Sequence, residues 1–218
     1  LMSKSGYEHE TCVGGGIEYY IDRGYVPEGI EADGIHRDGA GMTLDYAYYD
    51  WCLAQLARKL GKREEYRLLM RRAQSYRNIY NPETGFMHPR GFDGNFTSDF
   101  DPFSEFGFCE ANGWQSLWYV PHDVMGLADL MGGAGVFISR LDELFERARE
   151  HGFVAPGRHC DSYINYGNQP STHLAHLFNY VGAPWLSQKW VGEVMRTAKS
   201  DITPHGGYGG DEDQGLMG

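Results

Sequence analysis

The sequence predicts an all-α protein made of helical hairpins, forming part of an (α/α)6 toroid with long loops. Three observations predict it. Apolar residues recur at spacings of three and four in successive segments. These segments pair across tight turns, and long stretches rich in Gly, Asp, Phe and Pro separate the pairs. No period of two is sustained, and no repeat of solenoid length is visible.

The elements follow in order. Met42, Tyr46, Tyr49, Leu53, Leu56 and Leu60 form one apolar helix face, which Gly61 ends. Tyr66, Leu69, Met70, Ala73, Tyr76 and Tyr80 form the face of a second helix, closed by the turn Asn81-Pro-Glu-Thr-Gly85. Together they make an antiparallel hairpin. Residues 86–108 are an irregular excursion, and their phenylalanines argue against disorder. A helix begins near Asn112, breaks at Pro121, and resumes through Val124, Leu127, Ala128 and Met131 to Gly132-Gly133. Another covers roughly residues 135–150, with Phe137, Leu141, Leu144 and Phe145 on one face. Residues 152–169 read as loop. Pro170 suits the first turn of a helix to about Tyr180, and Pro184 opens the last one, to about Lys199. Thr203 to Gly218 is a glycine-rich loop carrying acids. Such helices would make about half of a six-hairpin ring.

Composition narrows the function. The 218 residues suffice for one large domain, and ends without cap or tail signatures suggest an internal fragment. A net charge of −11 argues against nucleic acid, whose phosphates need a basic footprint. It suits a cation site and a neutral, sugar-like ligand. No run of about 18 apolar residues offers a membrane span, and no signal peptide is visible. Cys12, Cys52, Cys109 and Cys160 lie far apart with no CxxC pair, so buried thiols are expected over a zinc site. Disulfides among them stay open, and so does the compartment. The 15 Tyr, 11 Phe and 5 Trp fit a helical core, although carbohydrate clefts also use aromatic platforms.

Two acidic clusters carry the candidate chemistry: Phe108-Cys-Glu-Ala-Asn-Gly-Trp-Gln115 and Gly210-Asp-Glu-Asp-Gln-Gly215. Paired carboxylates among aromatics and amides are what glycoside hydrolysis needs, one protonated to release the leaving group and one ionised to activate water. Glu110 precedes a helix start, where the plain role of an acid is to meet the helix dipole. Flanking Phe106, Phe108 and Trp114 would instead desolvate it and make it a proton donor. Asp211 and Asp213 alternate with Glu212. They suit either a solvated turn or a general base, and their spacing suits calcium but not a twelve-residue EF-hand loop. Asn168 and Gln169 precede a helix, where their oxygens would bind calcium or sugar hydroxyls, or cap the helix. His122 and Asp123 would cap the resumed helix. His9-Glu-Thr-Cys12 lacks the second histidine of HExxH, because position 13 is Val, and Gly14-Gly-Gly16 lacks the Lys-Ser/Thr of a phosphate loop.

Six segments, in order, resemble the catalytic domain of glycoside hydrolase family 92. They are Tyr46-Ala-Tyr-Tyr-Asp-Trp-Cys-Leu-Ala-Gln55, Asn81-Pro-Glu-Thr-Gly-Phe-Met87, Glu110-Ala-Asn-Gly-Trp-Gln115, Val120-Pro-His-Asp123, Gly167-Asn-Gln-Pro-Ser171 and Gly210-Asp-Glu-Asp-Gln-Gly215. The resemblance implies an (α/α)6 toroid and a calcium-dependent, inverting exo-α-mannosidase acting on mannose-containing glycans outside the cytoplasm, in the periplasm or secreted. It implies that residues 1–218 are an incomplete catalytic domain, lacking an upstream β-sandwich and the C-terminal remainder. It places Glu110 at the general acid and Asp213 at the general base, with Asp211 assisting. It places Asn112, Trp114, His122, Asp123, Asn168 and Gln169 in substrate binding, and Asn168, Gln169 and Asp213 near calcium. Many relatives carry Glu where this chain has Gln169, which bears on linkage preference. Inversion would set Glu110 and Asp213 about 6.5–9.5 Å apart. Another toroidal glycosidase, or a glycan-binding domain without turnover, is the alternative.

Overall fold

The computed structural model describes residues 15–30 and 38–198. They form two compact units. The first comprises the described residues up to Asp101, with Phe106–Cys109 and Val120–His122. The second comprises Pro102–Glu105, Glu110–Tyr119 and the described residues from Asp123 onward.

In the first unit, α1 (Ile17–Arg23) leads to the hairpin of α2 (Gly39–Lys59) and α3 (Arg63–Arg72). Gly61, at φ 70°, makes the predicted turn. The buried face of α2 matches the predicted one at Met42, with Tyr46 and Leu53 partly buried against the core, and differs at its other positions. Ala40, Leu44, Ala47, Ala54 and Ala57 are buried, whereas Tyr49, Leu56 and Leu60 are exposed. Small side chains let α3 approach closely, so that Leu69 packs on Ala54 and Ala57. Bulk hydropathy favours the tyrosines and leucines, but close helix packing selects the alanines.

α3 stops at Arg72. Tyr76 lies in a 3-10 turn, Ser75–Asn78, and Tyr80 in a short strand. That strand, β1 (Tyr80–Asn81), pairs antiparallel with β2 (Phe86–Met87), Tyr80 opposite Met87. The predicted turn at Asn81–Gly85 therefore closes a hairpin of strands, not the end of a helix. Asn81 makes the turn locally: its side-chain oxygen accepts from Glu83 N at 2.9 Å and its carbonyl from Gly85 N at 2.7 Å.

A buried ionic network ties the three helices. Asp50 Oδ2 accepts from Arg72 Nε at 2.7 Å and from the Tyr20 hydroxyl at 3.0 Å. The segment 106–109 runs past the start of α2, where Gly41 N donates to Gly107 O at 2.9 Å. Gly107 sits at φ 86°, and a Cβ there would meet Pro89 Cγ at 2.2 Å, so only glycine fits.

The second unit holds α4 (Gly113–Ser116), α5 (Val124–Leu130), α6 (Ala134–Ala148) and α7 (Pro184–Thr197). α5 meets the α6 segment at a 97° bend. Gly132 and Gly133, both near φ 106°, make the break. Phe137, Leu141, Leu144 and Phe145 are buried, as their spacing predicts. Trp190 of α7 stacks on Phe145 at 5.0 Å and donates to Asp142 Oδ1 at 2.7 Å. Each such large apolar side chain contributes about 1.5–3 kcal/mol on burial.

The helix expected from Pro170 to Tyr180 is instead two 3-10 turns, Gln169–Ser171 and Leu174–Asn179. Short polar side chains bond the backbone locally here. Asn168 caps the first turn, and Thr172 Oγ1 donates to Gln169 O at 3.0 Å, which competes with α-helical bonding. Pro184 opens α7 as expected.

Cys52, Cys109 and Cys160 are free thiols, and only Cys160 is buried. The expectation of buried thiols thus fails at Cys52, which lies on the outward side of α2. Cys12 lies outside the described residues. Among those residues no single helix is long and apolar enough to cross a membrane.

Candidate active site

Glu110 has a left-handed backbone, φ 48°. A side-chain-bearing residue there costs on the order of 1–2 kcal/mol, and such strain concentrates at functional sites. The Glu110 side chain is exposed, not buried among aromatics as the sequence suggests. Phe106 is itself exposed, and Phe108 is buried within the first unit. What fixes Glu110 is its backbone. Its carbonyl accepts from Asn168 Nδ2 at 2.8 Å, across 58 residues of chain.

The residues after it are held by amides. Asn112 is fully buried and caps α4, its Oδ1 accepting from Gln115 N at 3.0 Å. Its Nδ2 donates to Cys160 O at 2.6 Å and Ser162 O at 2.9 Å. Gln115 Nε2 donates to His159 O at 2.9 Å and Ser162 O at 3.1 Å. Two buried amides thus satisfy three carbonyls of the loop 159–162, which would otherwise be orphaned.

The same loop is pinned further along. Asn165 Oδ1 accepts from Gly167 N at 2.9 Å and Ala155 N at 3.2 Å, and Asn165 N donates to Ser171 Oγ at 3.0 Å. Asn168, 2% exposed, accepts from Gln169 N at 3.1 Å while holding Glu110 O. Asn112 and Asn168 therefore turn their amides to the backbone. Gln169 is part-buried and opens the 3-10 turn.

Trp114 stands at the edge of this segment. Its ring meets Tyr163 edge-on at 5.1 Å and Phe103 at 6.1 Å, with the Arg147 guanidinium 5.9 Å away. With Val136, Ser139, Arg140, Glu143 and Arg147 it lines an open cleft of about 430 Å³ along α6.

Nearby, burial holds His173 below the usual histidine range, and its Nε2 donates to Trp118 O at 3.1 Å. Burial pushes the Tyr166 hydroxyl up, and that oxygen accepts from Ala175 N at 3.3 Å.

The remaining sequence candidates have plainer settings. Asp123 caps α5, its Oδ1 accepting from Gly126 N at 3.0 Å, as read from the sequence. His122, in the first unit, donates from Nε2 to Ala73 O at 2.8 Å and lies among Tyr48, Trp51 and Tyr76. Asp211 and Asp213 lie outside the described residues, so their separation from Glu110 does too.

Sequence reasoning missed Asn165 and Ser162. A run dense in Asn and Ser between residues 162 and 171 was their only local signal.

The chain matches the glycosyl hydrolase family 92 catalytic domain over residues 2–218. It belongs to that family. An α-mannosidase of family 92 from Bacteroides thetaiotaomicron is 33% identical and superposes with a TM-score of 0.82, over 99% of this chain and 26% of that one. A family 92 inverting mannosidase from the same species, strain VPI-5482, is 35% identical with a TM-score of 0.76, over 92% and 28%. An uncharacterised secreted glycosidase of Arthroderma benhamiae is 27% identical over 94% of this chain and 28% of its own length. The chain thus spans about a quarter of the length of these relatives. The all-α class and the (α/α)6 toroid expected from paired helices are those of the family.

Proposed function

We propose that the intact protein is an exo-acting α-mannosidase that removes terminal α-mannose from glycans with inversion. Its likeness to a family 92 α-mannosidase over 99% of the chain carries the proposal. Glu110 is the general acid. Its exposed carboxyl stands on a backbone fixed from behind by Asn168, free to meet the glycosidic oxygen and protonate it. Asp213, assisted by Asp211, is the general base that takes a proton from the attacking water on the opposite sugar face. Trp114 offers an aromatic edge beside the acid segment for a sugar ring. Likeness to a secreted glycosidase supports action outside the cytoplasm.

Calcium is what the family resemblance implies, and of its expected ligands Asn168 and Gln169 are described while Asp213 lies outside the described residues. The described residues contain no group of three or more His, Cys, Asp or Glu placed to hold a metal.

The test is mannose release by the intact gene product from α-1,2-, α-1,3- and α-1,6-mannobiose, with and without EDTA. Release from at least one supports the proposal and gives the linkage. Loss with EDTA and recovery with calcium would establish the metal requirement. No release from any, with calcium present, moves the function to another glycoside or to glycan binding.

A further inference from the structure

We infer that Asn168 is a positioning residue for the general acid, setting the aim of Glu110 by gripping its backbone. The inference rests on the role proposed for Glu110. Three observations meet at one peptide. Glu110 is one of three described non-glycine residues with positive φ. Its carbonyl accepts from Asn168 Nδ2 at 2.8 Å. Asn168 itself is 2% exposed, and Gln169 N donates to its Oδ1 at 3.1 Å, which fixes the orientation of the amide.

A left-handed residue relaxes readily when its peptide is released. Rotation of that peptide would swing the exposed carboxyl, because nothing buries the side chain. A neutral amide suits this task better than a charged group. It donates to the carbonyl without placing a second charge beside an acid that must hold a proton.

Asn168→Asp keeps size and the oxygen that caps Gln169, but removes the donor and sets an oxygen against Glu110 O. Asn165→Ala serves as the control. It removes bonds to Ala155 N and Gly167 N in the same loop and touches no atom of Glu110.

The readout is leaving-group dependence in the intact enzyme. Protonation matters for a sugar leaving group and little for 2,4-dinitrophenolate, which departs unprotonated. Asn168→Asp should lower kcat on mannobiose by about 10²-fold, the scale of a misplaced catalytic group. On 2,4-dinitrophenyl α-mannoside the loss should be less than about threefold, since protonation contributes little there. Asn165→Ala should lower the melting temperature and leave the ratio of the two rates near wild type. Equal loss on both substrates for Asn168→Asp, matching Asn165→Ala, would overturn the inference and leave a structural role. Glu110→Gln separates the two claims. If it shows no leaving-group dependence, the acid assignment falls. If it does and Asn168→Asp does not, only the positioning role falls.

Discussion

The two units bury polar groups in different ways. The first holds an ion pair among its helices, Asp50, 4% exposed, between Arg72 and the Tyr20 hydroxyl, and one buried amide, Asn81, at its strand turn. The second holds neutral amides, Asn112, Gln115, Asn165 and Asn168, nearly all bonded to main chain. An ion pair joins regular helices, whose own backbones are satisfied internally. Amides hold loops, whose carbonyls and N–H groups need partners. The candidate acid sits on the amide side. There, irregular backbone adopts the left-handed turn that Glu110 requires.

The comparison can be broken by removing one member at a time. Arg72→Met leaves Asp50 buried without its cation and should cost about 3–5 kcal/mol in urea unfolding. A cost below about 1 kcal/mol would mean the pair is no more than a surface bridge. Asn112→Leu strands Cys160 O and Gln115 N, since Ser162 O keeps its bond from Gln115 Nε2, and should cost about 1–3 kcal/mol per stranded group. Hydrogen exchange at Gln115 N should rise with it, while protection in α2 and α3 is unchanged. Tyr20→Phe removes one hydroxyl and should cost about 1 kcal/mol.

The smallest effects are with pH, and they differ in sign between the units. Burial raises the Asp50 pKa, with Arg72 and Tyr20 pulling it back. The folded state therefore keeps that proton longer than the unfolded chain. Its contribution is full below the ordinary aspartate value and is lost as pH rises through the raised one. The stability margin of wild type over Asp50→Asn should shrink as pH rises from 4 toward 7. His173 runs the other way. Burial, its largest influence, lowers its pKa, so its contribution is present above about pH 6.5 and is lost as pH falls through the folded value. His173→Gln should flatten the acid side of the stability profile. An unchanged profile would show that the ring does not stay neutral in the folded state.

Local chemistry was legible and distant pairing was not. The Gly61 turn, the Asn81 turn, the Asp123 cap and the Pro184 start each depend on residues a few positions apart, and all were readable. The face of α2 was read correctly at Met42 and misread at Tyr49, Leu56 and Leu60, because close packing favours alanine where hydropathy favours tyrosine and leucine. The turns after Pro170 were misread because Asn168 and Thr172 bond the backbone locally. Glu110 was found by its neighbours in sequence, but its exposure and its φ were not. Its carbonyl is held by a partner 58 residues away. The Asn168 cap was one of the two roles its sequence position allowed, but the bonds from Asn112 and Asn168 to distant carbonyls were not readable, because their partners lie about 50 residues away. Asp211 and Asp213 lie outside the described residues, so the base half of the site rests on sequence.

The central claim is that Glu110 delivers the proton. Turnover of the preferred mannobiose by Glu110→Gln in the intact enzyme tests it most directly. A fall in kcat of about 10²–10⁴-fold with an unchanged melting temperature is expected. Near wild-type turnover by a well-folded variant would contradict it and move the acid to another residue.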